Sequence, residues 1–119
     1  DTIVGTNLHS DILSDLAAAL SGSLGIGATA NLNPERVFPS MFEPIHGSAF
    51  DIVGKGIANP IATFWTAGLM LEHLGEADAS RRLMRAIETV TGAGIQTPDL
   101  GGRATTRSVT AAVCEALGQ

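Results

Sequence analysis

The chain has 119 residues, 45% of them hydrophobic and 16% charged, a balance typical of a folded globular protein and not of a disordered one. Its formal charge of −5 at pH 7 argues against a nucleic-acid partner, since nucleic-acid binding needs a basic surface. A lone cysteine, Cys114, excludes an intrachain disulfide, and the longest nearly apolar run, 60–71, is shorter than the roughly 20 residues a bilayer requires, so we expect a soluble, cytoplasmic protein without a membrane partner.

Short strands and one helix are predicted in the first part of the chain. A strand over 2–5 opens it, and because complete proteins seldom begin inside a core strand, we expect the chain to be the C-terminal part of something longer. Asn7 is a candidate cap for a helix near 7–21, in which apolar residues recur at helical spacing. A turn then leads into a short strand within 25–32, and a second short strand is predicted over 40–43.

Helices dominate the rest of the chain. Asn59 is a good N-cap, and Pro60 suits the first helical position, where a missing N–H costs nothing. Asp78 or Ser80 is expected to cap the following helix. The predicted helices cover about 60–74, 78–92 and 105–117, and strands mixed with helices indicate an α/β architecture.

Asp11 and Asp15 lie one turn apart on the first predicted helix, so their carboxylates project from the same face. Carboxylate oxygens in that arrangement suit Mg²⁺ or Mn²⁺, hard ions that complete their coordination with water or substrate. The alternative is a solvated acidic face near a helix start, where the helix dipole favours aspartate anyway.

A glycine-punctuated loop between the second strand and Asn59 holds His46, Ser48 and Asp51. Such a loop, with a helix N-terminus behind it, can follow a nucleotide closely. An aspartate can also accept both hydroxyls of a ribose. The alternative is that Ser48 and Asp51 only make local turn hydrogen bonds.

Several longer motifs, taken together, resemble the metal-dependent β-decarboxylating dehydrogenases, the isocitrate/isopropylmalate dehydrogenase family. The resemblance covers essentially the whole chain and is closest to the tartrate/D-malate branch. The motifs that carry it are Asn7 to Asp15, Asn31-Leu-Asn-Pro-Glu-Arg36, Phe38-Pro-Ser-Met-Phe-Glu-Pro-Ile-His-Gly-Ser48, Gly54-Lys-Gly-Ile-Ala-Asn-Pro60 and Thr97-Pro-Asp-Leu-Gly-Gly102.

The resemblance implies the C-terminal portion of an isopropylmalate-dehydrogenase-like α/β fold, with short strands and about four helices. It implies NAD-dependent oxidative decarboxylation of a small 2-hydroxy acid, tartrate or D-malate, assisted by Mg²⁺ or Mn²⁺ in a homodimer. Two alternatives stay open: 3-isopropylmalate dehydrogenase, and a non-catalytic fragment or subunit that keeps the nucleotide loop.

The resemblance also implies residue roles. Asp11 and Asp15 match the helical ligands of the divalent ion. Asp51 matches the position that accepts the adenosine ribose hydroxyls, and a carboxylate there would repel a 2′-phosphate, which favours NAD over NADP. The other matching cofactor positions are Glu43 near the nicotinamide ribose, His46, Gly47, Ser48 and Ala49 in the cofactor loop, and Asn59 beside the adenine.

This sequence departs from the family pattern in two places. His9-Ser10 stands where the family usually has Phe-Gly, and Phe50 where it usually has a proline that would stiffen the loop. The family's substrate-binding arginines, its catalytic tyrosine and lysine, and a further metal aspartate have no match in these residues. We therefore assign no catalytic residue and expect the chain alone to be inactive.

Overall fold

This computed structural model describes residues 2–118. They contain four α-helices and one two-stranded sheet. The α/β class with short strands and about four helices is therefore confirmed. No helix within 2–118 combines the length and the apolar character that crossing a membrane requires. The elements are α1 (Asn7–Leu20), β1 (Ala28–Asn31), β2 (Met41–Pro44), α2 (Ile61–His73), α3 (Ala77–Gly92) and α4 (Thr106–Leu117), with 3-10 turns η1 (Leu24–Ile26) and η2 (Pro98–Leu100).

The sheet pairs β1 with β2 in antiparallel register, with Ala28 opposite Pro44 and Asn31 opposite Met41. The pairing continues one step further, since the Ile45 N–H donates to the Gly27 carbonyl at 3.0 Å. Both strands pack against α2. The end of β2 therefore delivers the following loop to the place where the chain leaves α1.

The core lies between α2, α3 and α4 and forms because each helix turns an apolar stripe inward. Helix α3 turns Leu83, Ala86, Ile87 and Val90 into this core, and all four are buried. Helix α4 starts where expected, because Thr105 and Ser108 form a reciprocal capping box. The Ser108 N–H donates to Thr105 Oγ1 at 3.1 Å, and the Thr105 N–H donates to Ser108 Oγ at 2.8 Å.

Three local expectations outside α2 were wrong. Residues 2–5 form no strand, because no neighbouring strand pairs with them within the described chain. Helix α1 does begin at Asn7, but the cap position is Thr6, whose hydroxyl contacts His9 Nδ1 at 2.9 Å instead of capping a backbone N–H. Helix α3 starts at Ala77, ahead of its expected caps, and Asp78 in its first turn pairs with Arg81.

Helix α1 presents most of its apolar side to solvent. Within it, Ala18 is the one buried residue, whereas Ile12, Leu13, Leu16 and Leu20 are exposed. The main contact of α1 is with the turn η1. The acidic side chains that were predicted on this helix therefore lie on a largely uncovered element at the edge of the fold.

Candidate functional site

A cleft of about 770 Å³ opens between the C-terminal part of α1, the turn η1 and the loop that joins β2 to α2. A volume of this order suits a cofactor-sized ligand. Its walls come from parts of the chain that are far apart in sequence: Asp15, residues 23–25, most of 45–59, Asp99 and Thr106.

The long loop forms one wall of the cleft and is anchored at its far end. Near its start, Ala49 adopts a left-handed backbone conformation with φ of 44°. The first turn of the loop closes through the Ile52 N–H, which donates to the Ala49 carbonyl at 3.0 Å. At the other end, Thr106 at the start of α4 donates its N–H to the Gly56 carbonyl at 2.9 Å and its hydroxyl to the Ala58 carbonyl at 2.6 Å. Helix α4 thus fixes where the loop re-enters the fold.

A carboxylate network closes the end of the cleft nearest α2. Asp99 accepts hydrogen bonds from Ser23 Oγ at 2.5 Å, Asn59 Nδ2 at 2.9 Å and Thr97 Oγ1 at 2.5 Å. Partial burial by itself raises the pKa of Asp99, but these bonds and one from its own backbone outweigh the burial and leave the pKa below its ordinary value. The group is therefore an anion at neutral pH.

Most of the predicted cofactor residues line the cleft. His46, Gly47, Ser48, Ala49 and Asn59 are all part of its wall. Asn59 was expected to be the N-cap of α2 with Pro60 in the first helical position, but the helix begins one residue later, at Ile61, and Pro60 holds the cap position. The Asn59 Oδ1 nevertheless accepts the Ile61 N–H at 3.0 Å.

Two of the predicted cofactor residues lie outside the cleft wall. Glu43 is exposed on β2, where its backbone carbonyl accepts the Thr29 hydroxyl at 3.0 Å. Asp51 is exposed at the outer turn of the loop. The structure thus places five of the seven predicted cofactor residues on the cleft wall and leaves Glu43 and Asp51 outside it.

The predicted metal pair is split in the same way. Asp15 lines the cleft, whereas Asp11, one turn earlier on α1, is exposed outside it. Among residues 2–118, no three His, Cys, Asp or Glu side chains converge as a metal site would require. The two aspartates are hard oxygen donors on one helix face, which fits part of a Mg²⁺ or Mn²⁺ shell. The remaining ligands would have to come from substrate, water or other residues.

The glycine-rich loop leaves room beside its backbone. A Cβ added at Gly47, Gly54 or Gly56 would meet no atom within 4 Å, so there is open space beside the backbone at these three positions. A glycine backbone lets a ligand approach the peptide closely. Shape and backbone chemistry are therefore compatible with the predicted cofactor loop.

The sequence did not assign a site role to Asp99, Ser23, Gly25 or Thr106, although all four line the cleft. Asp99 lies in a motif that was noted only for its family resemblance. The available signal was a carboxylate in a glycine-flanked loop between two helices, which is common in turns and points to no particular partner.

With this geometry established, comparison with known proteins identifies the family. Residues 1–117 match the sequence model of the isocitrate/isopropylmalate dehydrogenase family. The chain belongs to that family. The resemblance drawn from its motifs is thereby confirmed over almost its whole length.

Relatives in the isocitrate/isopropylmalate dehydrogenase family agree with the tartrate/D-malate resemblance. A probable tartrate dehydrogenase/decarboxylase from Agrobacterium vitis is 76% identical over 117 residues, which are 98% of this chain and 32% of the relative. The decarboxylating D-malate dehydrogenase of Escherichia coli strain K12 is 52% identical over 122 residues, covering 98% of this chain and 34% of that protein.

A solved structure in the same family shares the fold. The isocitrate dehydrogenase from Methylococcus capsulatus superimposes with a TM-score of 0.89 at 47% identity, covering 96% of this chain and 34% of that chain. The chain thus spans about a third of the length of the relatives it matches.

Proposed function

We propose that a complete protein carrying this segment is an NAD-dependent dehydrogenase that oxidises and decarboxylates a 2-hydroxy acid, either tartrate or D-malate. The hydroxyl carbon gives a hydride to NAD⁺, the hydroxyl proton leaves, and the resulting keto acid loses CO₂. The names of the relatives from Agrobacterium vitis and Escherichia coli support this reaction class. By family resemblance, we also propose that the complete protein is a cytoplasmic homodimer.

One juxtaposition carries the proposal. Asp15 of the predicted metal pair and His46–Ala49 of the predicted cofactor loop come from separate elements, yet they line the same cleft. A dehydrogenase needs its cofactor and its substrate side by side, because the hydride passes directly between them. A nucleotide site with no relation to α1 would not need this arrangement.

The cofactor half of the site rests on backbone chemistry and one charge. The inner loop offers open glycine backbone to a dinucleotide, and Asn59 closes the wall where the adenine is proposed to lie. Asp51 is exposed and can swing toward the ribose of a cofactor that extends past the cleft rim. Its negative charge would oppose a 2′-phosphate, so NAD is the proposed cofactor.

The metal half rests on Asp11 and Asp15. A divalent ion held by these carboxylates would polarise the substrate hydroxyl and stabilise the negative charge that develops during oxidation and decarboxylation. The chain's own contribution is to orient that ion from a helix face beside the cofactor loop. Substrate-binding cations and a proton donor are required in addition, and the chain, which has no tyrosine, supplies no match for the family's catalytic tyrosine.

A complete enzyme tests the proposal. Residues 1–117 would replace the matching third of the Agrobacterium vitis relative, and NADH formation would be measured with Mn²⁺ and tartrate, D-malate or 3-isopropylmalate. We expect turnover with tartrate or D-malate, and no turnover by the 119-residue chain alone. Absence of turnover by the hybrid would contradict the proposal that this segment supplies metal and cofactor residues to such an enzyme. Activity of the isolated chain would contradict the need for further residues.

Two variants of that enzyme separate the halves of the site. Asp15→Asn should lower kcat/KM by about 10²-fold or more, because a metal ligand is lost. Asp51→Arg should weaken NAD⁺ binding and improve NADP⁺ binding, because the charge facing the ribose is reversed. Asp78→Asn, which removes a carboxylate from the surface of α3, is the matched control and should leave both properties unchanged. If Asp51→Arg left the ratio of NAD⁺ affinity to NADP⁺ affinity unchanged, the proposed ribose role of Asp51 would be contradicted.

A further inference from the structure

Asp99 joins three parts of the chain that do not otherwise form one element. Its donors come from the residue before η1, the residue two before α2 and the residue before η2, namely Ser23, Asn59 and Thr97. Thr97 is 1% exposed and Asn59 is 9% exposed, so two of the donors are buried and depend on this acceptor. Removing Asp99 would deprive both buried donors of this hydrogen-bond acceptor.

The bonds around Asn59 leave its side-chain amide one orientation. The Ile61 N–H can only donate, so the Asn59 atom facing it at 3.0 Å must be the amide oxygen. The ionised carboxylate of Asp99 can only accept, so the atom facing it at 2.9 Å must be the amide nitrogen. An amide held at both ends presents a fixed pattern of polar atoms and surface to the cleft that it lines.

The turn after α1 is held against the same pair of side chains. Ser23 Oγ donates to Asp99 and accepts the Gly25 N–H at 2.9 Å, so a single hydroxyl links the turn to the carboxylate. A Cβ at Gly25 would stand 2.7 Å from Asp99 Oδ2 and 2.8 Å from Asn59 Cβ. The close approach is therefore possible only because residue 25 lacks a side chain.

We propose that Asp99 is a positioning residue of the nucleotide cleft, which fixes the Asn59 amide and holds turn 23–25 against it so that this wall is formed before a nucleotide binds. The inference rests on the proposed NAD site, in which Asn59 lies beside the adenine. A wall ordered in advance spares the nucleotide the cost of ordering it on binding. Asp99 acts through Asn59 and needs no contact with the cofactor.

Variants of the hybrid enzyme, in which residues 1–117 replace the matching third of the Agrobacterium vitis relative, test this role, with NAD⁺ as the probe. Asp99→Leu keeps the approximate size but removes every acceptor, and it should weaken NAD⁺ binding roughly tenfold or more, the range expected for lost bonds to a charged group. Asp99→Asn keeps one oxygen toward Ser23 and Asn59, while its NH₂ can donate to Thr97 Oγ1. This variant should restore affinity to within about threefold of the unaltered hybrid.

A double variant distinguishes positioning from general stability. In an Asn59→Ala background, Asp99→Leu should cause a smaller further loss than it causes in the original protein, because the Asn59 amide is already gone and only the hold on turn 23–25 remains to be lost. Asp78→Leu removes an exposed carboxylate of α3 outside the network and should leave NAD⁺ affinity unchanged. Additive losses in the double variant would overturn the proposal.

The Asn59 side-chain NH₂ signals in ¹H–¹⁵N spectra give a readout that does not depend on NAD⁺. In Asp99→Leu they should move to the positions of a solvent-exposed asparagine, and in Asp99→Asn they should stay near their original positions. If Asp99→Leu does not fold, the same signals can be followed in the unaltered chain through acid titration, with Asp15 and His46 as the other titratable groups that line the cleft. Unchanged Asn59 signals in either experiment would overturn the proposal. If the signals respond but the hybrid enzyme binds no NAD⁺, the NAD site is contradicted while the positioning of Asn59 by Asp99 stands.

Discussion

Gly25 lies where the fold leaves no room for a side chain. The atoms of Asp99 and Asn59 occupy the space that its Cβ would need. Gly25→Ala should therefore lower the free energy of unfolding by about 1–3 kcal/mol, because backbone and network must move apart to relieve the contact. Urea denaturation of the two proteins, followed by circular dichroism, measures the difference.

Gly92→Ala is the matched control for that substitution. Gly92 ends α3, is exposed, and has no atom within 4 Å of an added Cβ. Alanine there should raise stability by about 0.4–1 kcal/mol, since it restricts the unfolded chain without crowding the folded one. If both substitutions changed stability by the same amount, the close approach at Gly25 would have no energetic weight.

The candidate site could be predicted where its residues are close together in sequence. His46 to Ala49 and Asn59 were predicted from one glycine-rich segment together with the family resemblance, and each lines the cleft. Asp99 and Ser23 were missed because their bond joins residues that only the tertiary fold brings together, with Oγ and Oδ2 2.5 Å apart. A pattern of neighbouring residues carries no record of such a pairing.

Helices α1 and α3 show how far periodicity predicts the behaviour of an element. Both have apolar residues at helical spacing, and both are helices. The stripe of α3 is buried between α2 and α4, whereas most of the stripe of α1 is exposed. The spacing predicts that a helix forms, but what covers the helix depends on the rest of the fold.

The strands and caps were predictable to the extent that they depend on local chemistry. The capping box of α4 depends on Thr105 and Ser108 alone, and the helix, predicted over about 105–117, begins at Thr106. A strand at 2–5 needed a partner strand, and none pairs with it in the described chain. Local sequence signals were therefore enough to predict where α4 starts, but they could not decide whether residues 2–5 form a strand.

The difference in burial between the two helices predicts a difference in stability. Ile87 on α3 is 5% exposed, and Ile87→Ala should cost about 2–5 kcal/mol, because it removes buried methyl groups and leaves a cavity. Leu16 on α1 is 54% exposed, and Leu16→Ala in the same chain should cost less than about 1 kcal/mol, as exposed sites usually do. Urea midpoints of the 119-residue chain compare them directly. A loss at Leu16 equal to that at Ile87 would mean that α1 is covered in solution.

At the scale of the whole molecule, acid should destabilise the fold, and Asp99 should contribute to that loss. Partial burial opposes ionisation of Asp99, but its hydrogen bonds from Ser23, Thr97 and Asn59 prevail, and its pKa in the folded state lies below the ordinary 3.8. Because the folded-state pKa is depressed, the stabilisation is fully present above the unfolded-state value and is lost as the pH falls through the lower, folded-state value.

Comparing the original chain with Asp99→Asn isolates this contribution from the other carboxylates. The difference in unfolding free energy between the two proteins should be constant from neutral pH down to about pH 5, where Asp99 is ionised in both the folded and the unfolded state. Below the ordinary value of 3.8, the original chain should lose stability relative to Asp99→Asn, because only the original chain loses the stabilisation of an ionised Asp99. Urea denaturation at a series of pH values measures both curves. Parallel curves through the acid range would mean that the three donors do not favour the ionised carboxylate, and the network would then not hold turn 23–25 to the start of α2 through charge.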